Sequence, residues 1–226
     1  IEVLLVLTQK YEAVAANPPY MGSGNMNDDL KKYINSEYTK GKSDLATVFI
    51  EFFPHITSQC GYYSFITPPS WMFLSTFESL RSEIIQNQSI QSLLHLSRGV
   101  FGADFGSVTA VLKNKFNDKS TGVYYRLVER TFQEFEQDHL RILFLNAKKN
   151  PDFRYLFATY SKEDTVFNHN DKGALIYYPN ISQSNFEKIP GSPIAYWVSE
   201  KVMNIFNKCT NLSNYHDVKK GIDTGK

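Results

Sequence analysis

The chain has 226 residues, 42% hydrophobic and 15% aromatic, enough apolar material for a packed core and too much for a disordered protein. Its 24 basic and 23 acidic residues leave a formal charge of +1, so no overall basic field announces nucleic acid, although a local groove needs none. Cys60 and Cys209 are isolated, which fits a reduced, cytoplasmic setting better than a disulfide scaffold, and no apolar run reaches membrane-spanning length. The chain opens without methionine and stops at "GIDTGK", so it reads as a piece of something longer.

Glu12 to Ala16 is a short apolar run without helical period, ended by Asn17-Pro18-Pro19, and is expected to be a buried strand followed by a loop. Leu45, Val48, Phe49, Phe52, Phe53 and Ile56 then recur at helical spacing, with Ser43 as the expected N-cap. Gly61 to Ile66 is a second strand, closed by Thr67-Pro68-Pro69. Ser75 and Glu78 have capping-box spacing ahead of a helix that uses Phe77, Leu80 and Ile84. Ser89 to Leu96 and Ser107 to Asn114 are two further strands, joined by the glycine-rich "SRGVFGADFG".

Strands alternating with helices predict an α/β fold with a mostly parallel sheet, its last two strands antiparallel. Beyond Asp118 the pattern weakens. Val123 to Val128 reads as a strand and Thr131 to Leu140 as a helix, while Asn146 to Pro190 lacks periodicity. "KIPGSPIAYW" leads into a short helix in which Val198, Val202, Ile205 and Phe206 share a face, and a boundary is expected near residue 190. Ligands of such sheets bind outside the carboxyl ends of the strands. Asn17 to Tyr20 and Thr67 to Trp71 both lie at such ends.

"NPPY" can be a turn capped by a tyrosine. It can also act on an amine attached to a flat heterocycle, whose lone pair is delocalised into the ring. The Asn17 side-chain oxygen and the Pro18 carbonyl, both accepting from the NH2 group, would favour a pyramidal nitrogen. Pro19 would hold Pro18 extended, and Tyr20 would stack on the ring.

At this point the chain resembles the amino-methyltransferases that act on adenine in DNA. "YEAVAANPPYMGS" is similar to their strand and catalytic loop (motif IV), "KSDLATVFIEFFPHI" to the next helix, and "GYYSFITPPSWMFLSTFESLRSEI" to the strand, loop and helix after it. "FGADFGSVTAVLKN" is similar to the aromatic segment called motif VIII, and the likeness continues through "IPGSPIAYWVSEKV" to "VKKGIDTG". The combination is most like the bacterial BREX phage-defence enzymes of PglX type and their type IIG restriction-modification relatives.

The resemblance implies the C-terminal half of a Rossmann-like class I S-adenosylmethionine-dependent methyltransferase sheet. Residues 1–145 would be the catalytic-loop half, 146–189 a connecting region and 190–226 the start of a target-recognition domain. It implies methyl transfer from S-adenosylmethionine to the N6 amine of an adenine flipped out of duplex DNA. Asn17, Pro18, Pro19 and Tyr20 would be catalytic. Phe101, or alternatively Phe105, would cover the base opposite Tyr20. Asn17 and Asp44 would approach the cofactor, whose glycine-rich turn is expected upstream of Ile1, so the 226 residues alone are expected not to methylate DNA. Asp44 reads equally as a helix N-terminal carboxylate. Other defence-system subunits are implied partners, in a bacterial cytoplasm.

Lys42, Lys219 and Lys220, with Lys31, Lys32 and Lys40, are either phosphate contacts or a solvated face. A metal site is not expected, because the histidines lack ligand spacing. Rival readings are a catalytically silent DNA-binding or sensor module, and a methyltransferase acting on protein glutamine or RNA. "PDFRYLF" opens like a nuclease motif but lacks the following Asp/Glu-x-Lys.

Overall fold

The computed structural model describes residues 6, 8–100, 105–129, 134–159, 172–210, 214 and 215. Its centre is a six-stranded mixed sheet with β1 (Tyr11–Ala16), β2 (Thr57–Thr67), β3 (Ser89–Leu96), β4 (Ser107–Lys113), β5 (Thr121–Leu127) and β8 (Tyr177–Ser182), in the order β1-β2-β4-β3-β5-β8. Strands β1, β2, β3 and β5 run one way and β4 and β8 the other. The short connection between β3 and β4 gives the antiparallel pair anticipated from sequence, and β4 inserts between β2 and β3. Arg154–Tyr155 (β6) and Ala174–Leu175 (β7) form a separate small ladder.

Helix α1 (Asp28–Glu37) starts where the Asn27 side chain accepts from the Leu30 N–H, and Asp28 and Asp29 complement the dipole of its first turn. Helix α2 (Leu45–Ile56) packs on β1 and β2, α3 (Glu78–Asn87) on β3, and α4 (Gln137–Lys149) on β5. A further helix, α5, is Glu200–Lys208.

Strand alternation sends side chains into two cores. Tyr63 and Phe65 of β2, Leu93 of β3 and Tyr124 of β5 join Phe53, Leu80 and Ile84 in one. Leu127 of β5 joins Leu140, Leu143, Phe153 and Ile176 in the other, with Tyr125 packed against it. Phe186, Ile194 and Tyr196 belong to the first core, and the Tyr196 ring stacks on Tyr124 at 4.8 Å. The buried Gln183 amide donates to the Ile85 and Gln88 carbonyls and accepts from the Ile90 N–H. These contacts fasten residues 183–197 to the sheet.

Several expectations are corrected. Asp44, not Ser43, caps α2, because its extended backbone lets the carboxylate accept from the Ala46 N–H at 2.8 Å. Strand β2 begins at Thr57, directly after α2, rather than at Gly61. Ser75 is no N-cap: Ser75–Phe77 is a 3-10 turn, and α3 starts after Phe77 without a side-chain cap. The helix expected from Thr131 runs from Gln137, and the region read as aperiodic contributes β8 to the main sheet. In α5, Val202, Ile205 and Phe206 are exposed and the helix instead rests on Met203.

Candidate functional site

The carboxyl ends of β1, β2, β3 and β5 lie at one edge of the sheet, because these strands are parallel. Ala16, the last residue of β1, pairs with Phe65 of β2, which brings the Asn17–Tyr20 loop beside Ile66 and Thr67. Pro18 is buried, while Asn17, Pro19 and Tyr20 face solvent. The Tyr20 hydroxyl lies 3.2 Å from both Asn17 Oδ1 and the Ile66 carbonyl, so one phenol bridges the loop to the neighbouring strand.

The chain after Tyr20 is sewn to the start of α2. Ser23 N–H donates to the Ser43 carbonyl and Leu45 N–H to the Met21 carbonyl, both at 2.9 Å. Partial burial raises the Tyr20 pKa above its usual range, so the phenol stays protonated at physiological pH.

Phe105 meets Tyr20 edge-on at 5.5 Å, with 63° between the ring planes. It also lines a predominantly apolar cavity of about 520 Å3, with Pro68, Phe73, His95, Arg126 and Trp197 among its other walls. His95 and Arg126 are registered partners on β3 and β5. Burial, and then the neighbouring Arg126 charge, hold the His95 pKa down to about 4, so its ring is neutral at physiological pH. The Arg126 guanidinium lies 4.5 Å from the Trp197 ring centroid, a cation–π contact. The aromatic stretch "PPSWMF" marks the strand end that supplies Phe73. Trp197, His95 and Arg126 carried no comparable signal, since only the folded register assembles them.

Asp44 lies in the loop-to-helix stitch, its carboxylate engaged with Ala46. Exposed Lys42 lines a separate polar cavity of about 330 Å3 with Lys31, Ser23 and Ser43. Lys40 pairs with Glu83 at 2.7 Å. Phe101, Lys219 and Lys220 lie outside the described residues. Among the described residues no cluster of His, Cys, Asp or Glu could hold a metal ion, and no helix is long and apolar enough to cross a membrane.

Residues 3–101 match the model of the Eco57I restriction-modification methylase. Over its whole length the chain is 35% identical to the adenine-specific methyltransferase PglX of Lacticaseibacillus casei (strain Zhang), of which it spans 17%. It is 32% identical, over 99% of its length, to the adenine-specific methyltransferase BrxX of Escherichia coli O9:H4 (strain HS), of which it spans 16%. Among solved structures, the type IIG restriction endonuclease BpuSI aligns over 92% of this chain and 23% of that one with a TM-score of 0.51. At 15% identity that likeness concerns the fold alone.

Proposed function

We propose that this chain, whose residues 3–101 match the Eco57I restriction-modification methylase model and which is 35% and 32% identical to PglX and BrxX, carries the acceptor-binding half of an adenine-specific DNA methyltransferase. The substrate is an adenine rotated out of duplex DNA, since its amine is otherwise paired and out of reach. Asn17 Oδ1 and the Pro18 carbonyl accept hydrogen bonds from the N6 amine and draw its lone pair out of the ring. Tyr20 stacks on the purine, and Phe105 closes the pocket at its edge. The observation that carries this reading is the solvent-facing Asn17 loop at a strand end, whose Tyr20 meets edge-on the Phe105 that lines the ring-walled cavity.

S-adenosylmethionine is the proposed donor and supplies the methyl group when bound. The described residues do not make a site for it. Strands β1 and β2 run into Asn-Pro-Pro and Thr-Pro-Pro rather than a glycine-rich turn. The glycine-rich segment after β3 leads into antiparallel β4, not into a helix whose N-terminus could receive a charged group. The Asp44 carboxylate is engaged in capping α2. This chain therefore acts on the acceptor, and the 226 residues alone are proposed not to turn over.

Lys42, with Lys219 and Lys220, is a proposed phosphate contact. Sequence selection is assigned to the region from about residue 190 onward, in a cytoplasmic protein that works with other phage-defence subunits. The reading is tested by incubating the full-length protein with methyl-labelled S-adenosylmethionine and duplex DNA, then digesting to nucleosides. Label in N6-methyladenine is the expected result. Label in protein or RNA, or none in DNA, overturns it.

A further inference from the structure

The loop after β2 combines tight anchoring with an apolar tip. Trp71 and Met72 are fully buried, yet the next two residues, Phe73 and Leu74, are 37% and 54% exposed. A single exposed leucine is ordinary. The bracing behind this one is not.

Arg81 of α3 is only 1% exposed and donates through Nη1 to the Trp71 and Leu74 carbonyls, at 2.9 and 2.6 Å. Its Nε and Nη2 both donate to the Gly191 carbonyl, at 3.1 and 2.6 Å. The Ile194 N–H adds a bond to the Met72 carbonyl at 3.0 Å, and the Leu74 N–H reaches the Ser70 carbonyl at 3.0 Å. The Phe73 ring leans on His95 and Trp197, at 5.9 and 5.6 Å. These bonds fix the backbone of Trp71, Met72 and Leu74 and leave the Leu74 side chain about half exposed at the cavity wall.

The projection occurs beside the acceptor loop. Ile66, whose carbonyl meets the Tyr20 hydroxyl, lies at the same strand end from which the Pro68–Leu74 loop departs. Leu74 and Phe105 line the same cavity. Rotating a base out of a duplex leaves a gap whose neighbours have lost their stacking, and a rigid apolar side chain can fill it.

We propose that Leu74, braced by Phe73 and Arg81, is a wedge that enters the DNA base stack in place of the extruded adenine. This rests on the base-extrusion reading above. Leu74 stabilises the flipped state, whereas the Asn17 loop acts on the base once it is out.

The test uses the full-length protein and a duplex bearing its own modified sequence, with 2-aminopurine at the target position. Wild-type binding is expected to raise the fluorescence, reporting an unstacked base. Leu74→Ala and Leu74→Gln should lose most of that rise, and on the adenine duplex should methylate roughly tenfold more slowly. Leu74→Phe should retain both signals. Opposite an abasic site the target is already unpaired, so the Leu74→Ala deficit should vanish. A wild-type signal in Leu74→Ala on the paired duplex, or an equal deficit on both duplexes, overturns the wedge. Wild-type protein that unstacks the base without methylating adenine sinks the methyltransferase reading and leaves the wedge standing.

Discussion

The Tyr20 hydroxyl sits 3.2 Å from Asn17 Oδ1, so the oxygen proposed to receive an adenine amine is already oriented by a residue of the same loop. Tyr20→Phe removes that contact but keeps the ring. It is expected to leave kcat/KM for methylation within a few-fold of wild type. Tyr20→Ala also removes the stacking face, worth about 1–3 kcal/mol for a base on an aromatic ring, and should reduce kcat/KM by roughly 10- to 100-fold. Equal losses in the two variants would mean that the hydroxyl, not the ring, carries the role.

Phe105 packs edge-on to Tyr20 while lining the adjoining cavity. Phe105→Ala should raise the KM for DNA and lower kcat by about tenfold, with Phe105→Tyr close to wild type, since aromatic pairs contribute about 1 kcal/mol beyond area burial. Steady-state kinetics on the full-length protein measure this. Unchanged kinetics in Phe105→Ala would remove Phe105 from the pocket.

Arg81 ties α3 both to the nearby Trp71–Leu74 segment and to Gly191, 110 residues further along the chain. Arg81→Met keeps the aliphatic stem but strands the Trp71, Leu74 and Gly191 carbonyls. A loss on the order of 3 kcal/mol is expected, because several bonds from a charged donor vanish together. Hydrogen exchange should show residues 71–74 and 191–197 losing protection together. Loss confined to one segment would contradict the coupling.

How much of this was legible in the sequence depends on which forces wrote each element. Strands β1, β3 and β4 could be read because apolar runs are ended by Asn-Pro-Pro and glycines, but β1, expected to be buried, lies at the sheet edge with none of its residues buried. Helix α1 was missed because Leu30, Ile34 and Tyr38 make only a thin stripe, although Asn27 followed by two aspartates was an available N-terminal signal. Strand β8 was missed because it lies at the sheet edge and contains Pro179, where a ladder bond can be forgone. A lone arginine on a helix reads as solvated, so the burial of Arg81 left no trace. The Asn17 loop stood out because its residue types are chemically specific. The ring-walled cavity did not, since it is assembled from four strand ends far apart in the chain.

His95 is held neutral, with a pKa lowered to about 4 by burial and by Arg126. The unfolded chain binds this proton near pH 6.5, so between about pH 6.5 and 4 unfolding takes up a proton and stability falls as the pH drops. Below about pH 4 both states are protonated and the loss is complete, on the order of 3 kcal/mol. His95→Phe should flatten this dependence, and thermal unfolding of wild type and variant at pH 7.5 and 5 tests it. A constant Tm difference between the two would show that His95 does not titrate in that window.

The central claim is that the tip of β1 holds an adenine amine for methylation. Asn17→Ala in the full-length protein tests it most directly, read as N6-methyladenine formed and as DNA bound under the same conditions. The account predicts that methylation drops at least roughly a hundredfold while DNA affinity stays within a few-fold, as removal of a group that acts on the reacting centre should do. Methylation by Asn17→Ala at the wild-type rate would contradict it.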